Sequence, residues 1–224
     1  MGDARLSSSE ALSRGRDSLA TMDAASRFDD SEHDQRVLLH NQSWQAFETL
    51  LALRGEAPRP RMYYLDGEIE LVSTTRDHEH RKKTLARLLE TWAMETDVDL
   101  NGFGSWTLKK EVHEAGAEPD ECYILGPHEA KDVPDLAIEI EWSRKVGLPK
   151  HEIYRRLGVR ELWTLPPRGP LVVRVMEKGR WVVRAKGRVL PTLDIVWLMS
   201  FLETEPQSKA VRALSQALRK KPGR

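Results

Sequence analysis

The chain has 224 residues, of which 31% are charged and 40% hydrophobic, so it is long enough for one domain with a sizeable core. Lys plus Arg and Asp plus Glu number 35 each, and this formal net charge of zero excludes a protein that binds nucleic acid through a global basic field. The single cysteine excludes an intramolecular disulfide, while the polar N-terminus and the shortness of every apolar run predict a cytoplasmic protein without membrane contact.

The N-terminal region divides into a tail and the start of a domain. Residues 1–38 are rich in Ser, Ala, Asp and Arg and have little periodicity, which predicts a disordered tail. A domain is predicted over residues 39–204. Its first helix begins after Ser43, a favourable N-cap, and ends at Gly55.

A hairpin and a long helix are predicted next. Residues 62–73 form two apolar runs on either side of the turn Asp66-Gly67, a pattern typical of a β-hairpin. Residues 77–94 then carry one apolar stripe at helical spacing, formed by Leu85, Leu88, Leu89 and Trp92.

The second half of the chain alternates between strand and helix patterns. Strands are predicted at residues 105–112, 122–125, 136–140 and 161–165, a helix at 149–157, a hairpin over 171–184 and an amphipathic helix over 193–202. The basic residues 205–224 are predicted to fray as a C-terminal tail. Strands flanked by helices predict an α/β fold, with a central mixed β-sheet between helices.

Two acidic residues within or beside apolar strands are the candidates for chemistry. Asp120 follows a proline at the start of one strand, and Glu139 lies among Leu, Ala and Ile in the next. A buried glutamate costs several kcal/mol unless a metal, a cation or a donor compensates its charge. Alternation puts Glu139 and Glu141 on one face, and this pattern leaves open an edge strand whose acidic face is simply solvated.

Lys150 is the third candidate because it opens the helix that follows. A cation in the first helical turn opposes the helix dipole, so another group is expected to hold it, although a solvated lysine fits the pattern equally. Two carboxylates on adjacent strands beside a lysine suit a hard divalent cation and phosphodiester chemistry.

The order of several motifs resembles one known family. The motifs are Gly116 to Tyr123 with its Pro119-Asp120 pair, Pro134 to Glu139, and Lys150-x-x-x-Tyr154-x-x-x-Gly158-Val159-x-Glu161-x-Trp163. Upstream matches include Trp44, Pro60-Arg61 and Asp77-His78-Glu79. The chain is similar, over roughly residues 40–200, to the Uma-type endonucleases, a branch of the PD-(D/E)xK superfamily. This resemblance implies a restriction-endonuclease-like fold and a Mg²⁺-dependent nuclease, with Mn²⁺ as a substitute.

The resemblance also implies roles for individual residues. Asp120 and Glu139 match the metal-binding carboxylates, and the backbone carbonyl of Ile140 is expected to join them. Lys150 matches a lysine that has moved from the strand to the following helix, where it would assist catalysis. His78 and Glu79 are secondary candidates that line the site. Asp135, in the second Pro-Asp pair, is expected to be structural.

One departure from the family pattern keeps a second function open. Glu141 stands where the superfamily usually has lysine, and it either adds a metal ligand or repels a phosphate. The first reading is an endonuclease that hydrolyses phosphodiester bonds in DNA. The second is a degenerate nuclease fold that binds nucleic acid or a protein without cleavage.

DNA is the expected partner. A homodimer is also expected, because cleavage of both strands of a duplex favours two sites. The residues expected to contact DNA are basic: Arg81, Lys82, Lys83, Arg87, Lys109 and Lys110. Charge runs of this kind usually face water, so a solvated surface is the alternative.

Overall fold

Two β-sheets and the helices around them form the structure, a computed structural model that describes residues 33–129, 131–142 and 147–220. The first half contains, in chain order, β1 (Gln35–Leu39), α1 (Trp44–Arg54), β2 (Arg61–Leu65), β3 (Glu68–Ser73), α2 (Arg76–Glu95), β4 (Leu100–Gly102), β5 (Leu108–Lys110), a 3₁₀ turn (Glu111–His113) and β6 (Ala115–Ala117). The second half contains β7 (Glu121–Leu125), β8 (Leu136–Ile140), α3 (Lys150–Leu157), β9 (Glu161–Leu165), β10 (Val172–Glu177), β11 (Arg180–Arg184), α4 (Ile195–Met199) and α5 (Gln207–Lys220).

The two sheets differ in strand direction. The six-stranded sheet has the order β11-β10-β9-β8-β7-β4, and β8 runs parallel to β9 while its other neighbour, β7, is antiparallel. The five-stranded sheet has the order β1-β3-β2-β6-β5, and all its pairs are antiparallel. The predicted α/β class with a mixed sheet and flanking helices is therefore confirmed, but the prediction of a single central sheet missed the second one.

The sheets and helices pack in layers. Helix α1 covers one face of the five-stranded sheet, where Phe47 of the helix packs with Met62 and Tyr64 of β2 and Ile69 of β3. Helix α3 packs through Ile153, Tyr154 and Leu157 in a core shared by both sheets. Helices α2, α4 and α5 cover the other face of the six-stranded sheet, where the apolar stripe predicted for α2 is buried. Each layer removes apolar area from water, which is the main stabilising contribution.

Local sequence signals explain several element boundaries. The Ser43 side chain accepts a hydrogen bond from the Ala46 amide at the start of α1, as its N-cap position predicts. Asp66 and Gly67 both have positive φ angles, of 47° and 84°, which a two-residue hairpin turn requires. The first helix and the hairpin are thus confirmed.

Both predicted tails contain ordered structure. Residues 1–32 lie outside the described residues, but β1 pairs with β3 from Gln35 onward, so the predicted boundary at residue 38 falls inside a strand. At the other end, α5 is a helix whose Ala210 and Leu214 are buried against the core that includes α2. The apolar pattern of α5 was hidden by its many basic residues.

Two other elements are shorter than predicted. The strand predicted over residues 105–112 is reduced to β5, because the chain turns at Glu111 and returns as β6. The helix predicted over residues 193–202 is reduced to α4, with Asp194 as its N-cap. Within the described ranges, no helix is both long and apolar enough to cross a membrane.

Candidate active site

The candidate residues meet where the chain passes from one sheet to the other. Strand β6 belongs to the five-stranded sheet and β7 to the six-stranded sheet, so residues 118–120 connect them. Glu118 and Asp120 in this connection are 2% and 1% exposed. Strand β8 lies beside β7 and brings Glu139 into the same region, while β2 supplies Arg61 and Tyr63 from the other sheet.

Glu139 is a buried carboxylate on a central strand. All five residues of β8 are buried, and the strand lies between β7 and β9, so the alternative of a solvated edge strand is wrong. One oxygen of Glu139 accepts a hydrogen bond from Lys150 Nζ at 2.5 Å, and the other accepts one from the Tyr154 hydroxyl. The Tyr63 hydroxyl lies 3.3 Å from both oxygens and 2.9 Å from the backbone carbonyl of Glu118, with which it shares its proton. These donors offset the cost of burying the charge.

Helix α3 holds two of these donors in place. Lys150 and Tyr154 are four residues apart, so they lie on the same face of the helix. Burial lowers the pKa of Lys150, but attraction to Glu139 and Tyr63 and the hydrogen bond to Glu139 together raise it above its usual value, which keeps the ammonium charged. Its Nζ also lies 4.0 Å above the ring of Tyr63. Burial, followed by the charge of Glu139, raises the pKa of Tyr154 well above its usual value, so its hydroxyl remains a donor.

Asp120 is enclosed by three donors or polar groups. Its Oδ1 atom contacts the Arg61 guanidinium and lies 2.9 Å from His78 Nε2. Its Oδ2 atom accepts a hydrogen bond of 2.6 Å from the backbone amide of Ile140, the residue after Glu139. This bond places the Asp120 carboxylate directly beside the strand that carries Glu139. The expected contribution of the Ile140 carbonyl stays a prediction.

His78 joins Asp120 to a second buried aspartate. The Nδ1 atom of His78 lies 2.7 Å from Asp34 Oδ2, and all three side chains are at most 5% exposed. Asp34 also accepts a 2.9 Å hydrogen bond from the Thr75 amide at the start of α2. Its own amide donates to the Trp142 carbonyl, just after β8. Burial lowers the pKa of His78, and the Asp34 carboxylate opposes this effect.

Glu79 lies one step further from the carboxylates. It accepts from the Thr74 hydroxyl at 2.7 Å and forms an ion pair with Lys82 at 2.6 Å, while Arg61 Nη2 lies 3.4 Å away. Burial raises its pKa, but hydrogen bonds from Lys82 and Thr74 lower it to about 2 overall. Arg61 therefore bridges Glu79 and Asp120.

Glu118 is a buried carboxylate that the sequence reasoning did not single out. It accepts two hydrogen bonds from the Arg54 guanidinium, at 2.5 and 2.6 Å, and one each from the Met62 amide and the Thr107 hydroxyl. A carboxylate with this many donors is held rigidly and has little capacity for a metal. Glu118 thus fixes the connection that carries Asp120.

Glu141 does not join the site. It lies just beyond β8, where its amide donates to the Leu165 carbonyl and its side chain is exposed.

The substitution Glu141→Leu should therefore change the free energy of unfolding by no more than about 0.5 kcal/mol, which is the usual range for substitutions at exposed positions. It should also leave any metal-dependent activity within about threefold, since a solvated charge interacts weakly. Chemical denaturation and a nuclease assay, both beside the wild type, check this; a tenfold change in activity would contradict it.

Asp135 has the contacts of a structural residue. It pairs with Lys131 at 2.7 Å and with Arg160, and it accepts from the Leu125 amide at 2.8 Å. Burial raises its pKa, but these donors, led by Lys131, lower it below the usual value overall.

Asp135→Asn should lower the free energy of unfolding at pH 7 by about 2 kcal/mol, because bonds to a charged acceptor are lost. A depressed pKa stabilises the fold above the unfolded value of about 3.9 and loses that contribution as the pH falls through the folded value. The difference between wild type and variant should therefore shrink below about pH 4. Urea unfolding at several pH values measures it, and a difference that grows on acidification would refute the assignment.

Most of the basic residues predicted to contact DNA also have partners within the protein, and their contact with DNA stays a prediction. The pairs are Arg81 with Glu203 and the ring of Trp142, Lys82 with Glu79, Arg87 with Gln207, Lys109 with Glu48, and Lys110 with the Leu157 carbonyl. Lys83 is exposed. The charges on α2 thus act partly within the fold, as charge runs often do.

The carboxylates of Asp120 and Glu139 are suitable ligands for a small divalent cation, although Arg61 and Lys150 already contact them. Asp120 and Glu139 are hard oxygen ligands on neighbouring chain segments, which Mg²⁺ and Mn²⁺ prefer. Across residues 33–129, 131–142 and 147–220, no three His, Cys, Asp or Glu side chains converge closely enough to hold a metal by themselves. Water and backbone oxygen would therefore complete the coordination, as Mg²⁺ generally retains several waters.

Four of the predicted site residues come together, and four further ones were missed. Asp120, Glu139, Lys150 and His78 meet as the resemblance implied, although their roles stay predictions. The additional contacts are Asp34, Arg61, Tyr63 and Tyr154. The spacing of Tyr154 from Lys150 was a usable signal, because residues four apart share a helix face.

Comparisons with known proteins identify the family to which the chain belongs. No curated protein matches the chain. Among solved structures, the chain is similar to the crystal structure of a putative nuclease belonging to DUF820 from Anabaena variabilis, with 14% identity and a TM-score of 0.47 over 66% of this chain and 95% of that one. Residues 44–191 match the Uma2 family, described as "Putative restriction endonuclease". Because this match covers most of the chain, the protein belongs to the Uma2 family.

Proposed function

We propose that this protein is a metal-dependent endonuclease that hydrolyses phosphodiester bonds in DNA. One observation carries the proposal: Asp120 accepts from the amide of Ile140, the residue after Glu139, and Lys150 contacts Glu139, so two buried carboxylates and a lysine lie on neighbouring segments of the chain. Burial of acidic groups costs free energy. Buried acidic groups beside a cation are therefore typical of sites with a chemical role. Membership of a family described as restriction endonucleases supports the same reaction class.

The residues have separable tasks in this reaction. Asp120 and Glu139 would hold a divalent cation, which when bound lowers the pKa of a coordinated water and neutralises charge on a phosphate. Lys150 has three N–H donors, and Glu139 takes one of them. The remaining donors would orient the attacking water or stabilise the charge that develops on the phosphate. Tyr154 donates to the Glu139 carboxylate and keeps it in a fixed orientation.

A second function is supported by the charge balance of the site. Arg61 contacts Asp120 and Lys150 contacts Glu139, so each buried carboxylate already has a cationic partner within the protein. A site that is neutralised internally has less need of a metal. This observation favours the alternative of a degenerate nuclease fold that binds DNA or a protein without cleaving anything.

A cleavage assay separates the two functions. The purified 224-residue chain is incubated with supercoiled plasmid and with single-stranded DNA in Mn²⁺, in Mg²⁺ and in EDTA, and DNA binding is measured in parallel by fluorescence anisotropy. The endonuclease proposal expects products with either metal and none in EDTA. Binding without products at any metal concentration would overturn the proposal and support the binding module. Elution as a dimer in size-exclusion chromatography would support the expected pair of sites.

A further inference from the structure

A buried ion pair lies beside the site, on the face of the five-stranded sheet that carries Tyr63. Arg36 Nη1 of β1 and Glu70 Oε1 of β3 are 2.6 Å apart, and their side chains are 11% and 1% exposed. Glu70 is directly opposite Tyr63 in the pairing of β3 with β2, so these two side chains lie on the same face of the sheet. The Lys150 ammonium lies 4.0 Å above the Tyr63 ring. The ion pair is therefore one strand away from the ring that Lys150 contacts.

The backbone that leads into α3 packs directly against this pair. The Leu148 amide donates a hydrogen bond of 3.3 Å to Glu70 Oε2. A Cβ atom at Gly147 would overlap with Glu70 Oε1 and with Arg36 Nη1, so the glycine allows the chain to approach both side chains closely. Arg36 thus fixes Glu70, and Glu70 contacts the last residues before α3.

The start of α3 has no local signal that would fix its position. In the part of the chain that the structure describes, no side chain caps this end of the helix, where Pro149 occupies the N-cap position. The helix has eight residues, and helices this short depend on tertiary contacts because they are marginal in isolation. Lys150 is its first residue, and its Nζ lies 2.5 Å from Glu139 Oε2. A contact from outside the helix is therefore needed to keep the ammonium on Glu139.

We propose that Arg36 is a positioning residue for Lys150: it holds Glu70 against residues 147–148, and this contact keeps the Lys150 ammonium on Glu139. Where cleavage is the readout, the inference rests on the proposed nuclease function. It deepens that function by assigning a role to a residue that precedes the segment matching the family. Arg36 acts through the backbone, so its substitution is expected to affect the reaction and not the binding of DNA.

A purely structural ion pair is the competing account. In both accounts, loss of one partner leaves a buried charge without compensation and destabilises the fold. The test therefore needs a variant that loses a comparable contact at the other end of α3. Arg156 provides this control, because its guanidinium forms two hydrogen bonds, of 2.6 and 2.7 Å, with Asp66 in the turn between β2 and β3.

Cleavage kinetics form the first part of the test. Rates on supercoiled plasmid in Mn²⁺ compare the 224-residue wild type with Arg36→Gln, Arg36→Lys and Arg156→Gln, at a temperature where circular dichroism shows every variant folded. Arg36→Gln should lower kcat by about 10- to 100-fold and change KM by less than about threefold, because it misplaces a group that acts on the phosphate. Arg36→Lys keeps a charge for Glu70 and should recover most of this loss. Arg156→Gln should stay within about twofold of the wild type, since exposed ion pairs contribute little.

Nuclear magnetic resonance of the Lys150 ammonium forms the second part and needs no DNA. A buried and hydrogen-bonded ammonium exchanges its protons slowly, so its ¹H–¹⁵N signal is expected to be observable, and its absence in Lys150→Arg assigns it. Arg36→Gln should shift or broaden this signal, and Arg156→Gln should leave it unchanged. Gly147→Ala keeps both charges of the ion pair but displaces them, so it should also shift the signal. It carries the same comparison if Arg36→Gln fails to fold.

The outcomes separate this inference from the proposed function. A Lys150 signal that is the same in wild type, Arg36→Gln and Gly147→Ala would overturn the positioning role. Equal losses of kcat in Arg36→Gln and Arg156→Gln would also overturn it. A wild type that cleaves no DNA, with a Lys150 signal that moves in Arg36→Gln and not in Arg156→Gln, would overturn the nuclease and leave the positioning role intact.

Discussion

Asp120→Asn is expected to reduce metal-dependent DNA cleavage by about 10³-fold or more while the protein stays folded. Removal of a metal-ligating charge forfeits several kcal/mol of transition-state stabilisation, and each 1.36 kcal/mol corresponds to about a factor of ten. The asparagine keeps the size of the side chain and can still accept from the Ile140 amide. Initial rates of plasmid nicking in Mn²⁺, with the variant beside the wild type, measure the loss.

The chain contains its own control for this experiment. Asp135 also follows a proline, but its partners are Lys131, Arg160 and the Leu125 amide rather than any residue of the site. Asp135→Asn should therefore retain cleavage to within a few-fold at a temperature where both variants are folded. Equal losses in Asp120→Asn and Asp135→Asn would mean that the effect arises from stability, and the site assignment would fail.

Lys150→Met is expected to lower the free energy of unfolding by about 3 kcal/mol. Removal of one partner of a buried ion pair leaves the other charge without compensation, which typically costs about 3–5 kcal/mol. The lower end applies because Tyr154 still donates to Glu139 and the Lys150 side chain is 15% exposed. Urea denaturation followed by circular dichroism measures the change at pH 7.

A double variant tests the cause of this destabilisation. Glu139→Gln removes the charge that Lys150→Met would leave unpaired, so the double variant should be more stable than Lys150→Met alone. The coupling is expected to be at least about 1 kcal/mol, since contacting residues interact by about 0.5–3 kcal/mol. Additive losses would show that the ammonium of Lys150 contributes through packing rather than through Glu139.

Local sequence patterns were sufficient to predict the helices and strands whose ends are marked by a capping residue or a turn residue. Ser43 caps α1, the Asp66-Gly67 turn closes the hairpin, and Gly158 ends α3 in a left-handed conformation. Each signal acts within a few residues of the boundary, so no tertiary information was needed. Glu139 was found in the same way, because an acid among aliphatic residues must be compensated.

The missed features depend on contacts between distant parts of the chain. Strand β1 has only five residues and follows a polar segment, and its pairing with β3 supplies the order that its sequence does not predict. Asp34, Arg61 and Tyr63 each look like ordinary strand or loop residues. Their roles appear only when residues some 40 to 76 positions apart are brought together. The resemblance to the family could not indicate Asp34, because it begins near residue 40, and the family match itself begins at residue 44.

Anomalous diffraction from crystals soaked in MnCl₂ tests the central claim most directly, since it locates the ion without relying on activity. We predict an anomalous difference peak within about 2.2 Å of an Asp120 carboxylate oxygen, between the strand that carries Glu139 and the start of α2. A strong peak elsewhere, or density in which Arg61 still contacts Asp120 and no peak appears at saturating Mn²⁺, would contradict a metal-dependent nuclease site at these carboxylates.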